Sequence, residues 1–304
     1  MVFGGIDAGG TATKCLLLDA EGKILSRYEG PPANYQAGVK TAANVIKATL
    51  RETMARAGLN RIVSLGIGIA GGGRKPELVK MEQILGRVAG VDQYALTDDG
   101  EIALLGAHHG QPGIVLVAGT GSIAYGLRQD GQRVRSGGWG AILGDEGSGY
   151  WIGLQAVRMA IRSEEGRSGE TALSAAVRQK LGITSLAALP AMVYQSSLGR
   201  KEIAALAPVV FEYAQQGDPA ATEIIDTALA ELILLVKAVA EKMDFAVPKV
   251  AVVGGLFANP SFCEAFMWRL ATFCRMKVVK PCYPPVFGGV IYGAERAGLP
   301  LTFL

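Results

Sequence analysis

Two glycine–threonine turns, each lying between two apolar strands, are the segments of this sequence best suited to chemistry. The first is IDAGGTAT (6–13) and the second is VAGTGS (117–122). A tight turn leaves backbone N–H groups without partners, and glycine lets an anion approach them closely. Because the threonine hydroxyls add further donors, we predict that both turns bind phosphate oxygens.

The two turns belong to a repeated unit. Gly10 and Gly119 are 109 residues apart, and the same distance separates Gly22 from Gly131. Each unit reads as strand, Gly-Thr turn, strand, acidic turn with glycine, and strand. One such unit alone would be interpreted as an ordinary glycine hairpin. The matched pair favours duplication, and we expect two loops on facing lobes to hold one polyphosphate.

An aspartate distinguishes the first unit from the second. Asp7 precedes the first turn, whereas Leu116 occupies the matching position in the second. A carboxylate beside bound phosphate is repelled unless a cation lies between them. We therefore predict that Asp7 holds Mg²⁺, directly or through water.

A pair of carboxylates, Asp98 and Asp99, lies where the strand YALTDD ends and a helix begins. Ligands of α/β proteins bind at this edge of a sheet. A carboxylate placed there can accept the proton of an attacking alcohol. The alternative is that either residue only caps the helix. We assign the cap to Asp98 and the base to Asp99.

The elements that must position these residues alternate between strands and helices, which indicates an α/β fold in two lobes. We place the boundary near Gly113, with lobes at 1–113 and 114–285, and we expect the last helix, within 286–304, to pack back on the first lobe. Before the boundary we expect strands at 2–7, 14–19, 23–29 and 62–70, a short strand YALTDD, and helices at 38–57, 76–89 and 101–109.

The composition limits the classes of function. The 304 residues are 50% hydrophobic and 19% charged, which supports a substantial core. A net charge of +3 without a long run of like charges argues against a nucleic-acid partner. No apolar stretch is long enough to span a membrane and no secretory leader is visible, so we expect a cytoplasmic protein without a membrane partner.

Other kinds of ligand site fit the sequence less well. There is no Walker A string, and the glycines of GIGIAG (66–71) lie within a strand instead of after it, which argues against a dinucleotide fingerprint. The four cysteines match no metal knuckle and are interpreted as reduced thiols. His108 and His109 are adjacent at a helix end and point in different directions, so we expect no metal site there.

Several segments together resemble one known group of proteins. TDDGEIALLGA, AGTGS, GGWGAILGDEGSGYWIG and VVGGLFANPSF follow the first turn in the order seen in the actin-like ATPase and sugar-kinase superfamily. Within it the chain resembles the BadF/BadG/BcrA/BcrD ATPase family, and most closely its N-acetylglucosamine kinases and bacterial glucosamine kinases. The resemblance implies a ribonuclease H-like, actin-like ATPase fold, in which duplicated βββαβαβα domains surround a nucleotide cleft.

The resemblance also implies roles for individual residues, with ATP as phosphoryl donor and Mg²⁺ as cofactor. Asp99 falls at the position of the catalytic carboxylate, although relatives often have Asn-Asp where this chain has Asp98–Asp99, so an exchange of their roles stays open. The phosphate loops are Gly9, Gly10, Thr11 and Thr13, and Gly119, Thr120 and Gly121. The adenosine loop is Gly254 and Gly255. The sugar pocket is Asn34, Tyr35, Gly71, Gly72, Gly138, Trp139 and Asp145, and the catalytic Asp99 also binds the sugar.

We expect from these observations an ATP-dependent kinase that phosphorylates the 6-hydroxyl of N-acetylglucosamine, with glucosamine as the alternative acceptor. Less favoured alternatives are an ATPase that activates a partner enzyme and a sugar sensor without catalysis. A free ammonium at C2 of the sugar would favour a nearby carboxylate, which either Asp145 or Glu146 could supply. A homodimer through the helical part of the second lobe stays open.

Overall fold

The computed structural model describes residues 1–33, 35, 38–72, 74–195, 198–244 and 247–301. The chain divides into two compact units. The first comprises 1–115, 127–132 and 280–304, and the second comprises 116–126 and 133–279.

Strands and helices alternate in the way that an α/β fold requires. In chain order the strands are β1 (Val2–Ala8), β2 (Thr13–Asp19), β3 (Ile24–Gly30), β4 (Ile62–Ile69), β5 (Val91–Asp98), β6 (Gly113–Ala118), β7 (Ser122–Leu127), β8 (Arg133–Gly137), β9 (Lys249–Val253) and β10 (Lys277–Val279). The α-helices are α1 (Val39–Arg56), α2 (Lys75–Leu85), α3 (Asp99–His108), α4 (Gly149–Glu164), α5 (Leu173–Leu181), α6 (Leu189–Tyr194), α7 (Arg200–Ala204), α8 (Ala207–Gln215), α9 (Pro219–Ala240), α10 (Pro260–Cys274) and α11 (Pro285–Ala297).

The two sheets have the same topology. The strand order of the first is β3-β2-β1-β4-β5, and that of the second, read in the same direction, is β8-β7-β6-β9-β10. In the first sheet β1 pairs antiparallel with β2 and parallel with β4, and β4 pairs parallel with β5. The duplication that the two glycine turns predict therefore extends to five strands in each sheet and confirms the expected α/β class.

The first sheet is covered differently on its two faces. On one face Ile6, Leu17 and Ile67 join a buried apolar cluster with Ile46 of α1 and Met81 of α2. Because side chains alternate along a strand, Gly5 and Asp7 point to the opposite face. That face is packed against α11 and α3.

Glycines bring α11 into direct contact with this sheet. A Cβ atom on Gly5 would lie 2.1 Å from the carbonyl oxygen of Val286, and one on Gly66 would lie 2.0 Å from that of Gly289. On the other side of α11, a Cβ on Gly288 would lie 1.8 Å from the carbonyl oxygen of Ile102 in α3. The helix therefore packs backbone to backbone, which no residue larger than glycine permits at these positions.

Helices dominate the rest of the second unit. The 22-residue helix α9 packs against α8, α10 and α4 through Leu229, Leu232 and Val236, which are buried. Among the described residues no helix is both long enough and apolar enough to cross a membrane.

Candidate functional site

The first glycine turn, residues 9–12, connects β1 to β2. The Gly9 N–H donates to the Ala12 carbonyl at 3.0 Å, and the Ala33 N–H donates to the Gly9 carbonyl at 3.0 Å. The N–H groups of Thr11 and Ala12 have no hydrogen-bond partner within the described part of the chain. Two successive donors of this kind form a concave site for an anion.

The hydroxyl of Thr13 is used within the protein. Its side chain is fully buried, and its hydroxyl donates to the Pro31 carbonyl at 2.7 Å. The sequence assigns Thr13 to phosphate binding, but in the structure its proton is directed at a backbone oxygen. Thr13 therefore connects the end of the turn to the segment at Pro31. Thr11 has an exposed side chain, so its hydroxyl can reach a ligand.

Two carboxylates meet at the carboxyl edge of the first sheet. Asp7 lies opposite Gly68, and Gly68 lies opposite Thr97, two residues before Asp99. Burial raises the pKa of Asp7 to about 6, partly offset by the positive charge of Lys14. Burial and then the charge of Asp7 raise the pKa of Asp99 to about 6. Both groups therefore titrate close to neutral pH, as functional carboxylates often do.

Asp98 and Asp99 have different structural roles. The Asp98 side chain accepts from the Glu101 N–H at 2.8 Å and caps α3. Asp99 is the first residue of α3, where its carboxylate is near its own N–H and that of Gly100. Asp98 is therefore the N-cap residue of α3 in this structure, and the Asp99 carboxylate does not have that role.

Gly68 lets the start of α3 pack closely against β4. A Cβ on Gly68 would lie 2.4 Å from Cδ1 of Ile102 and 3.1 Å from the carbonyl oxygen of Asp98. Since α3 begins at Asp99, the absence of a side chain on β4 lets the start of that helix lie directly against the sheet.

Of the sugar-pocket residues predicted in the first unit, three are described and Asn34 lies outside the described residues. The Tyr35 N–H donates to the Ala70 carbonyl at 3.0 Å, and the Gly72 N–H donates to that of Ile69 at 3.3 Å. Gly71 has a φ of 72°, a conformation that favours glycine. The structure therefore brings Tyr35, Gly71 and Gly72 together beyond the end of β4.

The second glycine turn, residues 119–121, repeats the arrangement of the first. The Gly119 N–H donates to the Gly121 carbonyl at 2.9 Å, while the N–H groups of Thr120 and Gly121 find no partner among the described residues. At the start of α4 the Gly149 N–H donates to the Gly119 carbonyl at 2.8 Å. The helix terminus thus holds the turn, and its partial positive charge favours an anion there.

The second turn contacts an ion pair whose carboxylate is buried and whose guanidinium is partly exposed. Asp145 is 3% exposed, its carboxylate accepts from the Ser122 N–H at 3.4 Å, and the guanidinium of Arg200 is paired with it. A Cβ on Gly121 would lie 2.6 Å from Nη2 of Arg200, so the guanidinium lies directly against the turn. Burial raises the pKa of Asp145 even though Arg200 acts in the opposite direction.

Arg200 is a residue of this site that no sequence motif indicates. It lies 55 residues from Asp145 in the chain and belongs to no glycine-rich segment. Its Nε is buried and has no hydrogen-bond partner among the described residues. Nothing in the local sequence predicts this pairing, because it depends on the packing of α7 against α4.

The remaining sugar-pocket residues of the second unit lie in the loop after β8. Gly138 has a φ of 70°, and a Cβ there would lie 2.3 Å from Cδ1 of Ile123. Trp139 is 56% exposed, so much of its ring is available to a ligand. Asp145 of the same connection has a φ of 61°, in the left-handed region that few residues other than glycine adopt.

The two glycines of the predicted adenosine loop serve different purposes. Gly254 has a φ of 116°, and a Cβ there would lie 2.2 Å from the carbonyl oxygen of Ala118. A Cβ on Gly255, where a short 3₁₀ helix begins, would have no atom within 4 Å. Gly254 is therefore required by backbone packing, and only Gly255 leaves room for a nucleoside.

The residues present fit Mg²⁺ through Asp7. The described residues contain no cluster of three or more His, Cys, Asp or Glu side chains arranged to hold a metal ion. Mg²⁺ in phosphoryl-transfer sites commonly takes one or two carboxylates, with phosphates and waters as its other ligands. The shared negative charge of Asp7 and Asp99, which raises the pKa of Asp99, is the feature that a divalent cation would relieve.

Comparisons with known proteins identify relatives along almost the whole chain. The model of the BadF/BadG/BcrA/BcrD ATPase family matches residues 5–293. An N-acetylmuramic acid/N-acetylglucosamine kinase of Clostridium acetobutylicum is 32% identical over 294 residues, covering 94% of this chain and 96% of that protein. An N-acetyl-D-glucosamine kinase of Dictyostelium discoideum is 30% identical over 260 residues, 80% of each chain.

A solved structure agrees with these matches. It is a crystal structure of a Chromobacterium violaceum protein whose description as an N-acetylglucosamine kinase is provisional. Its TM-score is 0.80 at 28% identity, and the match covers 95% of this chain and 98% of that one.

Proposed function

Because the chain belongs to the BadF/BadG/BcrA/BcrD ATPase family, we propose that it is an ATP-dependent amino-sugar kinase that phosphorylates the 6-hydroxyl of N-acetylglucosamine. The names of the two relatives at 30% identity or more support this class of acceptor. The observation that carries the proposal is the carboxylate of Asp99, which starts α3 at the carboxyl edge of the first sheet and has a pKa of about 6.

The chemistry that we assign to Asp99 is proton acceptance. As the 6-oxygen of the sugar forms a bond to the γ-phosphorus of ATP, the bond from that phosphorus to the β–γ bridging oxygen breaks and ADP leaves. The hydroxyl proton goes to the Asp99 carboxylate. A base with a pKa of about 6 is mostly ionised at neutral pH and still holds a proton better than an ordinary aspartate.

Each glycine turn offers backbone donors to the phosphate groups of a nucleotide. Thr11 and Ala12 in the first unit, and Thr120 and Gly121 in the second, present backbone N–H groups that no other described residue uses. Such groups are already oriented, so they can stabilise charge on phosphate oxygens without rearrangement. Mg²⁺, when bound beside Asp7, neutralises negative charge that develops on the transferred group.

The pairing of Asp145 with Arg200 favours an N-acetyl substituent over a free amine on the sugar. A sugar ammonium would be attracted by an uncompensated carboxylate, but the charge of Asp145 is already matched by a guanidinium. Glucosamine is the second candidate, because the half-buried Glu146 offers another carboxylate next to Asp145.

The activator alternative has less support. It needs cysteines placed together to bind an iron–sulfur cluster, and the Cys15 thiol is buried with its pKa raised by burial to about 12. Cys263, Cys274 and Cys282 are at least partly exposed, but among the described residues they belong to no cluster of three or more side chains that could hold a metal ion.

The experiment that tests the proposal is ADP release measured with glucose, glucosamine, N-acetylglucosamine and N-acetylmannosamine at matched concentrations. We expect the highest kcat/KM with N-acetylglucosamine and a product phosphorylated at the 6-position, identified by NMR. Equal and low ADP release with and without every sugar would contradict a kinase function.

A further inference from the structure

A groove of about 600 Å³ lies on the first unit, away from the glycine turn and the carboxylates of that unit. Its walls are the outer side of α1, the connection from α1 to β4, and the loop that precedes β5. The residues that line it from α1 are Asn44, Lys47, Ala48, Leu50, Arg51, Met54 and Ala55. Those from the two connections are Leu59, Asn60, Arg87, Val88, Ala89 and Gly90.

The groove is at the opposite edge of the first sheet from Asp99. Gly90 precedes β5, and Asp98 ends it. An eight-residue strand spans about 23 Å from its first to its last Cα atom. A molecule in this groove therefore does not occupy the site built around Asp7 and Asp99.

The charge of the groove is entirely positive. Lys47 and Arg51 are one helical turn apart on α1, and Arg87 approaches from the loop before β5. None of these three cations has an ion pair or hydrogen bond with any described residue, and no Asp or Glu of the described ranges lines the groove. In contrast, Arg56 on the same helix and Arg61 just after it are paired with Glu52 and Asp92.

The floor of the groove is apolar and well packed. Leu50, Met54 and Val88 are buried beneath the cations. Gly90 has a φ of 75°, and a Cβ there would lie 2.9 Å from Cε of Met54 and 2.7 Å from the carbonyl oxygen of Asn60. The absence of a side chain at Gly90 thus lets the loop close against α1 and fixes one end of the groove.

We propose that this groove is a second ligand site, which binds a small organic anion with an apolar or planar body, of the class of organic phosphates and sulfonates. The three cations would pair with the anionic group, while the apolar floor would contact the body of the ligand. The volume lies within the range of about 300–1,000 Å³ that is typical of small-molecule pockets. The Asn44 and Asn60 side chains, which have no other described partner, supply hydrogen bonds at the rim.

The probe for the test is 8-anilinonaphthalene-1-sulfonate, which combines a sulfonate with an apolar aromatic body. Its binding to the full chain is titrated by fluorescence in the wild type and in the double variant Lys47→Ala/Arg51→Ala. The matched control is Lys23→Ala/Lys80→Ala, which removes the same charge from exposed positions of the same unit. We expect saturable binding that weakens at least tenfold in the groove variant and less than twofold in the control.

Two further arms separate the sources of such a ligand. Inorganic phosphate should compete weakly, because it carries the charge without the apolar body. Vesicles of phosphatidylglycerol and of phosphatidylcholine test for a lipid surface, and we expect the protein to sediment with neither.

Equal probe affinity in the wild type and both double variants would overturn the proposal, and so would a groove-dependent sedimentation with phosphatidylglycerol vesicles. Because the substituted side chains are on the surface, both double variants are expected to have the wild-type unfolding midpoint, which excludes misfolding as the cause. Kinase turnover is not used as the readout, so a failure here is distinct from a failure of the proposed function.

Discussion

Burial and then the negative charge of Asp7 raise the pKa of Asp99, although Asp7 lies on β1 and Asp99 follows β5 as the first residue of α3, with β4 between the two strands. The strand between them contributes Gly68 at this level, which leaves no side chain to separate the two groups. Burial and the repulsion between two ionised carboxylates destabilise the folded protein. A bound cation or a proton on one carboxylate relieves this repulsion.

Substitution of the two neighbouring aspartates should separate the base from the helix cap. We expect Asp99→Asn to lower kcat by about 100-fold or more, which is the usual contribution of a general base, with little change in sugar affinity. Asp98→Asn is the matched control, because asparagine caps helices as well as aspartate. Steady-state kinetics and sugar titrations check both, and a near wild-type rate for Asp99→Asn would show that the base is assigned to the wrong residue.

The raised pKa values of Asp7 and Asp99 predict how stability depends on pH. In the unfolded chain each group has its ordinary pKa of 3.8, and in the folded chain each has a pKa of about 6. Between these values the folded state binds more protons, so the contribution of these two groups to the free energy of unfolding falls as pH rises from about 4 to 6 and does not change further above that range.

Removal of one charge should therefore stabilise the protein at neutral pH. Without Mg²⁺, Asp99→Asn is expected to raise the free energy of unfolding at pH 8 by about 2–3 kcal/mol, and the gain should disappear towards pH 4. Urea unfolding at several pH values measures this. A variant that is less stable than the wild type at pH 8 would contradict burial as the cause of the shift.

The pair of Asp145 and Arg200 can be tested by a double-mutant cycle. Arg200→Gln leaves the buried Asp145 carboxylate without its partner and should lower the free energy of unfolding by about 1–3 kcal/mol. Asp145→Asn leaves the Arg200 guanidinium unpaired, and because that side chain is 32% exposed the loss should be smaller. Since asparagine tolerates the φ of 61° at position 145, backbone strain does not confuse the result. The double variant should lose less than the sum of the two, and strict additivity would mean that the pair contributes nothing.

The two glycines of the adenosine loop should respond differently to a methyl group. Gly254→Ala requires a φ of 116° and places Cβ against the Ala118 carbonyl, so we expect a loss of about 3 kcal/mol or more. Gly255→Ala meets no atom within 4 Å, and its stability should stay within about 1 kcal/mol of wild type. If this space receives the nucleoside, the second variant should raise KM for ATP and leave KM for the sugar unchanged. Thermal unfolding and kinetics distinguish the two effects.

The parts of the fold that the sequence predicts are those encoded locally. The Gly-Thr turns, the acidic turns and the strand periodicity come from neighbouring residues. The duplication is indicated by the equal distances from Gly10 to Gly119 and from Gly22 to Gly131, together with the same order of strands and turns in both units. The assignment of the helix cap to Asp98 follows from the same local rules and agrees with the observed hydrogen bond to the Glu101 N–H.

The features that the sequence does not predict depend on contacts between residues that are far apart in the chain. Thr13 looks like a donor in sequence, but the position of Pro31 decides where its hydroxyl points. The sequence suggests that Gly254 makes room for a ligand, but in the structure a side chain there is excluded by the Ala118 carbonyl. The partner of Asp145 and the cations around the α1 groove come from separate segments that only the folded chain brings together.

The glycine contacts of α11 affect when the first unit can finish folding during synthesis of the chain. The faces of Gly5 and Gly66 are closed by the backbone of residues 286–293, which a ribosome makes long after both glycines. A nascent chain that already holds Asp7 and Asp99 still lacks the helix that covers their side of the sheet. The N-terminal residues of the first unit therefore wait until α11 has been synthesised, while the second unit, whose residues end at 279, can fold before that point.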